Sequence, residues 1–481
     1  MGPRALLLAA GLVVASGCGA APAPAPVASA GPVGHAGRWL TDAQGRVLLL
    51  HGVNLVAKNP PYYPNDFGFD DADAAWLARG GMRVVRLGVL ASGEMPTRGK
   101  IDQNYIDNLL ATVDDLARHH IFVLLDWHQD DYGPFFGGDG MPGWMTLTDG
   151  KPDRQAPFPF DYTTNPALQQ AFQSFWDDAL VPGGKPLQSY YVEMLKAVAA
   201  RVANDPWVLG YEVMNEPWPG NSWSGCLSGT GCSQLEASEL EPFYTKAATA
   251  IRAVDRYHLI FFEPFVLFNF GLAPTHLALP RGITGDGLAF HQYAQSPAAA
   301  EQVYTNALSW SHASGGALLN TEWSSDYNDP ATIPAQAADA DTALMPWTYW
   351  VFDNCNSAFS TPQGANFLLR RSDPPSGSNV NTPLVSGVER PYPFAVAGTP
   401  ASLAYDPASR VMRFTWSNAR AGGGRFGPGA RSFLAVPAIN YPHGYRVAVS
   451  GCRVVSSPDS PTLVVEQQGH PTTASVVVSP A

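Results

Sequence analysis

Two glutamates stand where a folded chain could use them as a pair. Glu216 closes the stretch YEVMNEPWPG, in which an apolar run stops abruptly at Asn215-Glu216-Pro217. Glu322 closes ALLNTEWSS in the same way. Two carboxyl groups flanking a glycosidic bond can hydrolyse it with retention. One protonates the leaving oxygen, the other attacks the anomeric carbon, and they stand about 5–5.5 Å apart. Carboxylates that close oppose each other's ionisation. The expected outcome is a raised pKa on Glu216, which holds the acid proton, and a charged Glu322 as nucleophile. Asn-Glu-Pro alone carries little weight, because a strand-ending Glu can equally hold a salt bridge. Glu263 in FFEPF is a rival acid on the same argument. Glu212, Asp126 and Asp353 are further rivals, each with a structural role open to it.

The pairing requires elements that bring both residues to one place. Eight apolar runs can do this: RVLLLHGVNL, MRVVRLGVL, IFVLLDWHQ, WVLGYEVMNEP, HLIFFEP, GLAFHQY, GALLNTEW and PWTYWVFD. Helical stretches such as DNLLATVDDLARHH and YYVEMLKAVAARVAND separate several of them. Near-continuous apolar runs mark parallel strands buried on both faces. Eight strand–helix units predict an α/β fold, a (β/α)8 barrel over residues 38–382, with its active site at the C-terminal ends of the strands. On this reading those ends carry His51, Asn54, Arg86, His128, Glu216, Glu263, His291, Tyr293, Glu322 and Trp350. Glu216 and Glu322 lie 106 residues apart. Three units of an eight-unit barrel of ~250 residues come to roughly 94, so strands four and seven fit. A doubly wound sheet is the competing architecture, but no glycine fingerprint for a nucleotide supports it. From about residue 391 to 481 the texture changes to short β runs between Gly, Pro and Ser turns, which predicts a small β-sandwich.

Composition narrows the ligand. The chain has 481 residues, is 46% hydrophobic and carries a formal charge of -12. It has ample material for a core and nothing basic to neutralise phosphates, which argues against nucleic acid. Its aromatic content suits a neutral ligand such as a sugar. Residues 1–18 read as a signal peptide, too short to span a bilayer. Their end, Ala15-Ser16-Gly17-Cys18, resembles a bacterial lipoprotein box, so the protein is expected to be exported, either lipid-anchored through Cys18 or simply secreted. Residues 19–37 read as a Pro/Ala-rich tether. Four cysteines follow. Cys226 and Cys232 are close in sequence and are expected to pair, which would stabilise by roughly 2–3 kcal/mol in the chain-entropy model. Cys355 and Cys452 are then expected to pair by elimination.

The set of strand-end residues resembles glycoside hydrolase family 5, a family of (β/α)8 retaining glycosidases. Arg86, His128, Asn215, Glu216, His291, Tyr293, Glu322 and Trp350 match its active-site positions in order. The resemblance implies Glu216 as acid/base and Glu322 as nucleophile. It implies Asn215 on the sugar 2-hydroxyl, Tyr293 and Arg86 positioning Glu322, His291 beside Glu216, and Trp350 as the floor under the reacting sugar. LLDWHQDDYG, GWLTDAQGRVLLLHGVNLVAKN, VMNEPW and RPYPFAVAGTP look most like the endoglycoceramidase branch. That likeness implies Lys58 and Asp130 on the second sugar, a glycolipid substrate met at a membrane or micelle surface, no cofactor and no metal, although WHQDD could suggest one. A monomer is expected. The chain departs from the family in Glu322-Trp323-Ser324, where Glu-Phe-Gly is usual, and in the Cys226/Cys232 loop.

Apolar loops bear on the leaving group. PPYYP (60–64), PFF (134–136) and FVLFNFGL (265–272) follow predicted strands and should rim the same face. A lipid aglycone, or docking on a membrane, would need such a wall; these side chains could also fold inward. The reading is therefore an endo-glycosidase cutting between glycan and ceramide. The alternatives are a β-glycosidase of monohexosyl lipids (galactosyl- or glucosylceramide, or a steryl glucoside), a β-glucan endoglucanase, and a non-enzymatic glycan-binding surface lipoprotein.

Overall fold

The computed structural model describes residues 31–227, 231–280, 282–283, 285–325, 329–352, 366–370 and 374–481. The signal peptide, Cys18, Asp353 and Cys355 lie outside these residues. Three short strands come first: β1 (Gly34–Ala36), β2 (Trp39–Thr41) and β3 (Val47–Leu48). Eight parallel strands then close a barrel: β4 (His51–Leu55), β5 (Val84–Val89), β6 (Phe122–Trp127), β7 (Val208–Glu212), β8 (Leu259–Phe262), β9 (Asp286–Gln292), β10 (Ala317–Trp323) and β11 (Trp347–Tyr349). The expected (β/α)8 barrel is present, each expected run supplying its strand in order. Every residue of these strands is buried, which is why they read as continuous apolar runs rather than alternating ones. Glycine permits close strand contact in the barrel wall. A Cβ on Gly52 would meet the Val84 carbonyl oxygen at 1.7 Å.

Amphipathic helices cover the barrel. The helix Gln103–Arg118 is capped by Asp102, whose carboxylate accepts from the backbone of Asn104 and Tyr105, and it buries Ile106, Leu109, Val113 and Leu116. Among the described residues no helix is long and apolar enough to cross a membrane.

The C-terminal strands are β12 (Tyr392–Val396), β13 (Thr399–Asp406), β14 (Val411–Ser417), β15 (Arg431–Ala435), β16 (Tyr445–Ser450), β17 (Cys452–Val454), β18 (Thr462–Gln467) and β19 (Thr473–Pro480). They form two antiparallel sheets around a shared core that includes Phe414, Val476, Phe433 and Leu434. One sheet runs β1-β2-β3-β12-β15-β18-β17, so the strands at the start of the described chain complete the C-terminal domain. The segment expected to begin the barrel at residue 38 is therefore shared, and β1 lies inside the expected tether.

The run RVLLLHGVNL splits accordingly. Val47–Leu48 pairs with β12, and the barrel strand starts only at His51. This corrects the placement of His51. It sits at the N-terminal end of β4, opposite the mouth, stacked between Trp347 at 4.1 Å and Tyr392 at 3.6 Å. Burial and the Arg390 charge hold its imidazole well below the ordinary value, so it stays neutral there.

Cys226 and Cys232 form a disulfide. The second expected pair is not made. Cys452 is a free, buried thiol whose Sγ donates to the carbonyls of Ser450 and Ser475. It is sealed in the core of the C-terminal domain, which closes over the barrel end opposite the mouth.

Candidate active site

The C-terminal strand ends surround one cation. Arg86, from the middle of β5, is fully buried. Its guanidinium makes a bidentate pair with Glu212 at 2.8 Å through each of Nε and Nη2. Nη1 donates to Asn54 Oδ1 at 3.0 Å and to Glu322 Oε2 at 3.0 Å. Nη2 also donates to Asn215 Oδ1 at 2.7 Å and lies 3.1 Å from Asp126. Burial opposes the charge, but Asp126, Glu212 and Glu322 outweigh it and hold Arg86 well above its ordinary value. Two of the rival acids are thereby explained: Asp126 and Glu212 anchor Arg86. Removing one partner from a buried charge network leaves the others uncompensated, which costs about 3–5 kcal/mol. Arg86→Met is therefore expected to lose that much stability in urea unfolding. A loss below about 1 kcal/mol would contradict this account of the network.

Glu322 ends β10 with both oxygens engaged. Tyr293 Oη donates to Oε1 at 2.6 Å, and Arg86 Nη1 donates to Oε2. Both donors favour the anion. Glu216 sits past β7 with φ of 41°. Asn269 Nδ2 donates to its Oε1 at 3.1 Å, and His291 Nδ1 lies 2.7 Å from the same oxygen. Both contacts fall on the one oxygen. The other ring nitrogen of His291 is 3.8 Å from Glu322 Oε2, so one imidazole reaches both carboxyl groups. Burial works against a charge on His291, yet Glu263, Glu322 and Glu216 raise it well above its ordinary value.

Glu263, the remaining described rival, is fully buried behind this ring. It lies 3.2 Å from His291 Nε2 and accepts the Glu216 backbone N–H at 3.3 Å. Burial pushes its carboxyl well above the usual range, which suits a supporting acid without access to the cavity.

The electrostatic expectation is revised at Glu322. Its carboxyl is displaced upward, first by burial and also by Glu216, with His291 and Arg86 pulling it back. The roles therefore rest on hydrogen-bond geometry. A nucleophile must be ionised, so a raised pKa means activity is lost at a higher pH on acidification. The acidic limb of kcat/KM should sit above the ~4.3 of an ordinary glutamate. Tyr293→Phe, which removes a donor to the anion, should move it higher still. A limb at or below the ordinary value would contradict the assignment.

The mouth opens on a cavity of about 570 Å³. One half is polar. Lys58 is buried, donates to Asp130 and lies 3.6 Å from Asp139. Its ammonium sits 4.6 Å from the Trp350 ring centroid, and Trp350 stacks on His128 at 5.5 Å. His128 Nδ1 meets Asp126 at 2.7 Å; burial and Lys58 oppose its charge, but Asp126 and Asp130 push it up to about 9. His128, Asp130 and Asp139 stand close enough to ligate a cation, as do Glu212, Glu263 and His291. Each group already surrounds or borders a protein cation, Lys58 in the first and Arg86 in the second.

The other half is apolar: Phe158, Trp218, Trp223, Val266, Leu267 and Leu272. The run FVLFNFGL divides here. Val266, Leu267, Phe270 and Leu272 face the cavity, while Phe265 and Phe268 pack into the barrel core. PPYYP and PFF do not line it; Tyr62 packs against the small cluster that includes Trp350, and Phe136 is buried. Ser324, from the departure after Glu322, does line it.

Of the expected site residues, Glu216, Glu322, Lys58, His128, Asp130, Tyr293 and Trp350 line the cavity. Arg86, Asn215 and His291 lie behind it. Asn215 accepts from Arg86 at 2.7 Å and donates to the Gln129 carbonyl at 2.9 Å. Sequence reasoning missed Asp139, Gln129, Asn269, Trp218 and Trp223. A signal existed for Asn269, the one polar residue in FVLFNFGL.

The family model described as cellulase, glycosyl hydrolase family 5, matches residues 41–356. The chain belongs to glycosyl hydrolase family 5. The model of the glycoside hydrolase family 5 C-terminal domain matches residues 390–478. Endoglycoceramidase I of Rhodococcus hoagii (strain 103S) is 29% identical over 461 residues, covering 90% of this chain and 85% of that protein. Endo-glycoceramidase II from Rhodococcus sp., solved in complex with ganglioside GM3, superposes with a TM-score of 0.74 at 26% identity. The match covers 92% of this chain and 99% of that one. The same enzyme solved as a lactosyl-enzyme intermediate superposes with a TM-score of 0.73 at 26% identity, over 92% of this chain and 100% of that one. The reaction class is accordingly hydrolysis of a glycosidic bond, which suits the two carboxyl groups at the cavity.

Proposed function

We propose that this family 5 hydrolase is a retaining endo-β-glycosidase that cuts between the glycan and the ceramide of glycosphingolipids. One observation carries the reading: the cavity that holds the carboxyl pair joins a cluster of charged and polar groups around Lys58 to an apolar group on the loops after β7 and β8. Lys58, Asp130, His128 and Trp350 offer charge, hydrogen bonds and an aromatic plane to sugars. Trp218, Val266 and Leu267 belong to the loops that carry Glu216 and its partner Asn269. The proton donor therefore stands beside the apolar half, where a lipid leaving group would lie. The relatives named as endoglycoceramidases support the same direction.

The steps follow from the geometry. Glu216 gives its proton to the ceramide oxygen as Glu322 attacks the anomeric carbon. The C–O bond breaks, ceramide leaves, and a glycosyl ester forms on Glu322. Glu216, now ionised, takes a proton from water, whose oxygen attacks the same carbon and releases the glycan. Two inversions leave the β configuration unchanged. In this reading residues 1–18 direct export, the protein is then secreted or lipid-anchored through Cys18, and the chain works as a monomer on substrate held in a membrane or micelle.

The test compares one glycan on ceramide and on a soluble aryl group. Wild type should prefer ceramide by at least roughly tenfold in kcat/KM, and Leu267→Asp should abolish that preference. Equal turnover of both by wild type would overturn the lipid reading.

A further inference from the structure

The disulfide lies outside the catalytic constellation, in the loop that carries Trp223 and next to Gly231, which packs on the segment that follows the other apolar loop. The 3-10 segment Gly220–Leu227 carries both Trp223, a cavity residue, and Cys226. Trp223 packs on Trp218 with ring centroids 5.6 Å apart. Asn221 Nδ2 donates to Gln170 Oε1 at 2.9 Å, which holds one side of this segment to the helix Pro166–Trp176. Its other side is held by the Cys226–Cys232 bond. Both cysteines are buried in the same core as Trp218, Val266 and Leu267.

On both sides of Cys232 the chain is fastened to the segment that follows the second loop. Gly231, at φ of 58°, lies so close to Ala273 and Pro274 that an added Cβ would sit 3.2 Å from the Ala273 methyl. Glu236 accepts from Thr275 Oγ1 at 2.6 Å and from the His276 backbone N–H at 2.9 Å. Residues 273–276 directly follow Leu272, the last cavity residue of the other apolar loop. One covalent bond thus joins the Trp218–Trp223 wall to a segment anchored on the Val266–Leu272 wall.

We infer that the Cys226–Cys232 disulfide is a specificity-determining staple, which fixes the two walls of the apolar half at the spacing that receives a long-chain aglycone. Glu216, Glu322, Arg86, His291 and Tyr293 are held by other partners, so the staple acts on aglycone binding and not on bond cleavage. In an oxidising compartment the wall is set, and reduction loosens it. The inference rests on the lipid aglycone proposed above.

The experiment measures KM and kcat for p-nitrophenyl and dodecyl β-lactosides with wild type and Cys226→Ala/Cys232→Ala. Wild type should show a lower KM for the dodecyl than for the aryl glycoside. The double variant should raise the dodecyl KM roughly tenfold, with kcat and all aryl constants within about twofold, the pattern of lost ground-state binding. Trp223→Ala with the disulfide intact should raise the dodecyl KM as well, and adding it to the double variant should add little. Should the double variant fold poorly, wild type reduced with a phosphine and checked by thiol titration replaces it. A melting temperature lowered with both substrates affected equally would make the bond a general stabiliser and overturn the staple. No advantage of the dodecyl chain in wild type would instead overturn the lipid reading on which it stands.

Discussion

Replacing Glu322 by Gln is expected to lower kcat on the order of 10⁴-fold or more while leaving the fold intact. The amide retains the shape of the side chain, and its carbonyl still accepts from Tyr293 or Arg86. It cannot attack an anomeric carbon, and it removes a charge that offsets the growing oxocarbenium character of the transition state. The loss should be similar for every leaving group, because attack by Glu322 precedes all release. Circular dichroism would check the fold, and single-turnover kinetics the chemistry. Residual activity above a few per cent would move the nucleophile elsewhere.

Glu216→Ala should behave differently. A positioned general acid contributes about 10²–10⁴-fold, and only where the leaving oxygen needs a proton. Turnover of the glycolipid should fall by about that factor. A dinitrophenyl glycoside, whose leaving group departs as a stable anion, should still form the glycosyl-enzyme rapidly. Its hydrolysis should then stall for want of a base, and azide should restore turnover as a β-glycosyl azide, with no proton to remove. Equal losses for both leaving groups, without azide rescue, would mean that Glu216 supports the site rather than donating to it. Positive φ at Glu216 and the two groups on its Oε1 make that contrast informative, since the side chain is held from one oxygen only.

The barrel was legible because strands buried on both faces leave continuous apolar runs, and their C-terminal ends carry the polar residues. Glu216 and Glu322 stood out because each interrupts such a run. Other features leave no comparable trace. Strands of two or three residues, such as Val47–Leu48, are too short to show a period, and that one sits inside the same apolar run as the barrel strand. His51 was therefore placed at the wrong barrel end. Arg86 reads as one charge in a strand, whereas its bidentate grip on Glu212 depends on a residue 126 positions away. Asp139 meets Lys58 across a glycine-rich loop whose sequence pattern does not specify the contact. Pairing Cys355 with Cys452 by elimination assumed that every cysteine after residue 18 is bonded. Cys452 is instead buried as a small apolar side chain with weak sulfur hydrogen bonds.

The division of the cavity also explains how one short sequence change can act on one half alone. Trp350 and His128 directly follow barrel strands, and Lys58 is tied into a buried charge cluster with Asp130 and Asp139. Val266, Leu267 and Trp223 are set by 3-10 segments between strand and helix. Substitutions in the second group should alter the aglycone and spare the sugar.

The measurement that tests the central claim most directly is mass spectrometry of the products from a glycosphingolipid bearing three sugars, with wild type beside Glu322→Gln. The account predicts an intact trisaccharide and free ceramide from wild type, and neither from the variant. Stepwise release of single sugars, or intact trisaccharide persisting in the variant, would contradict it.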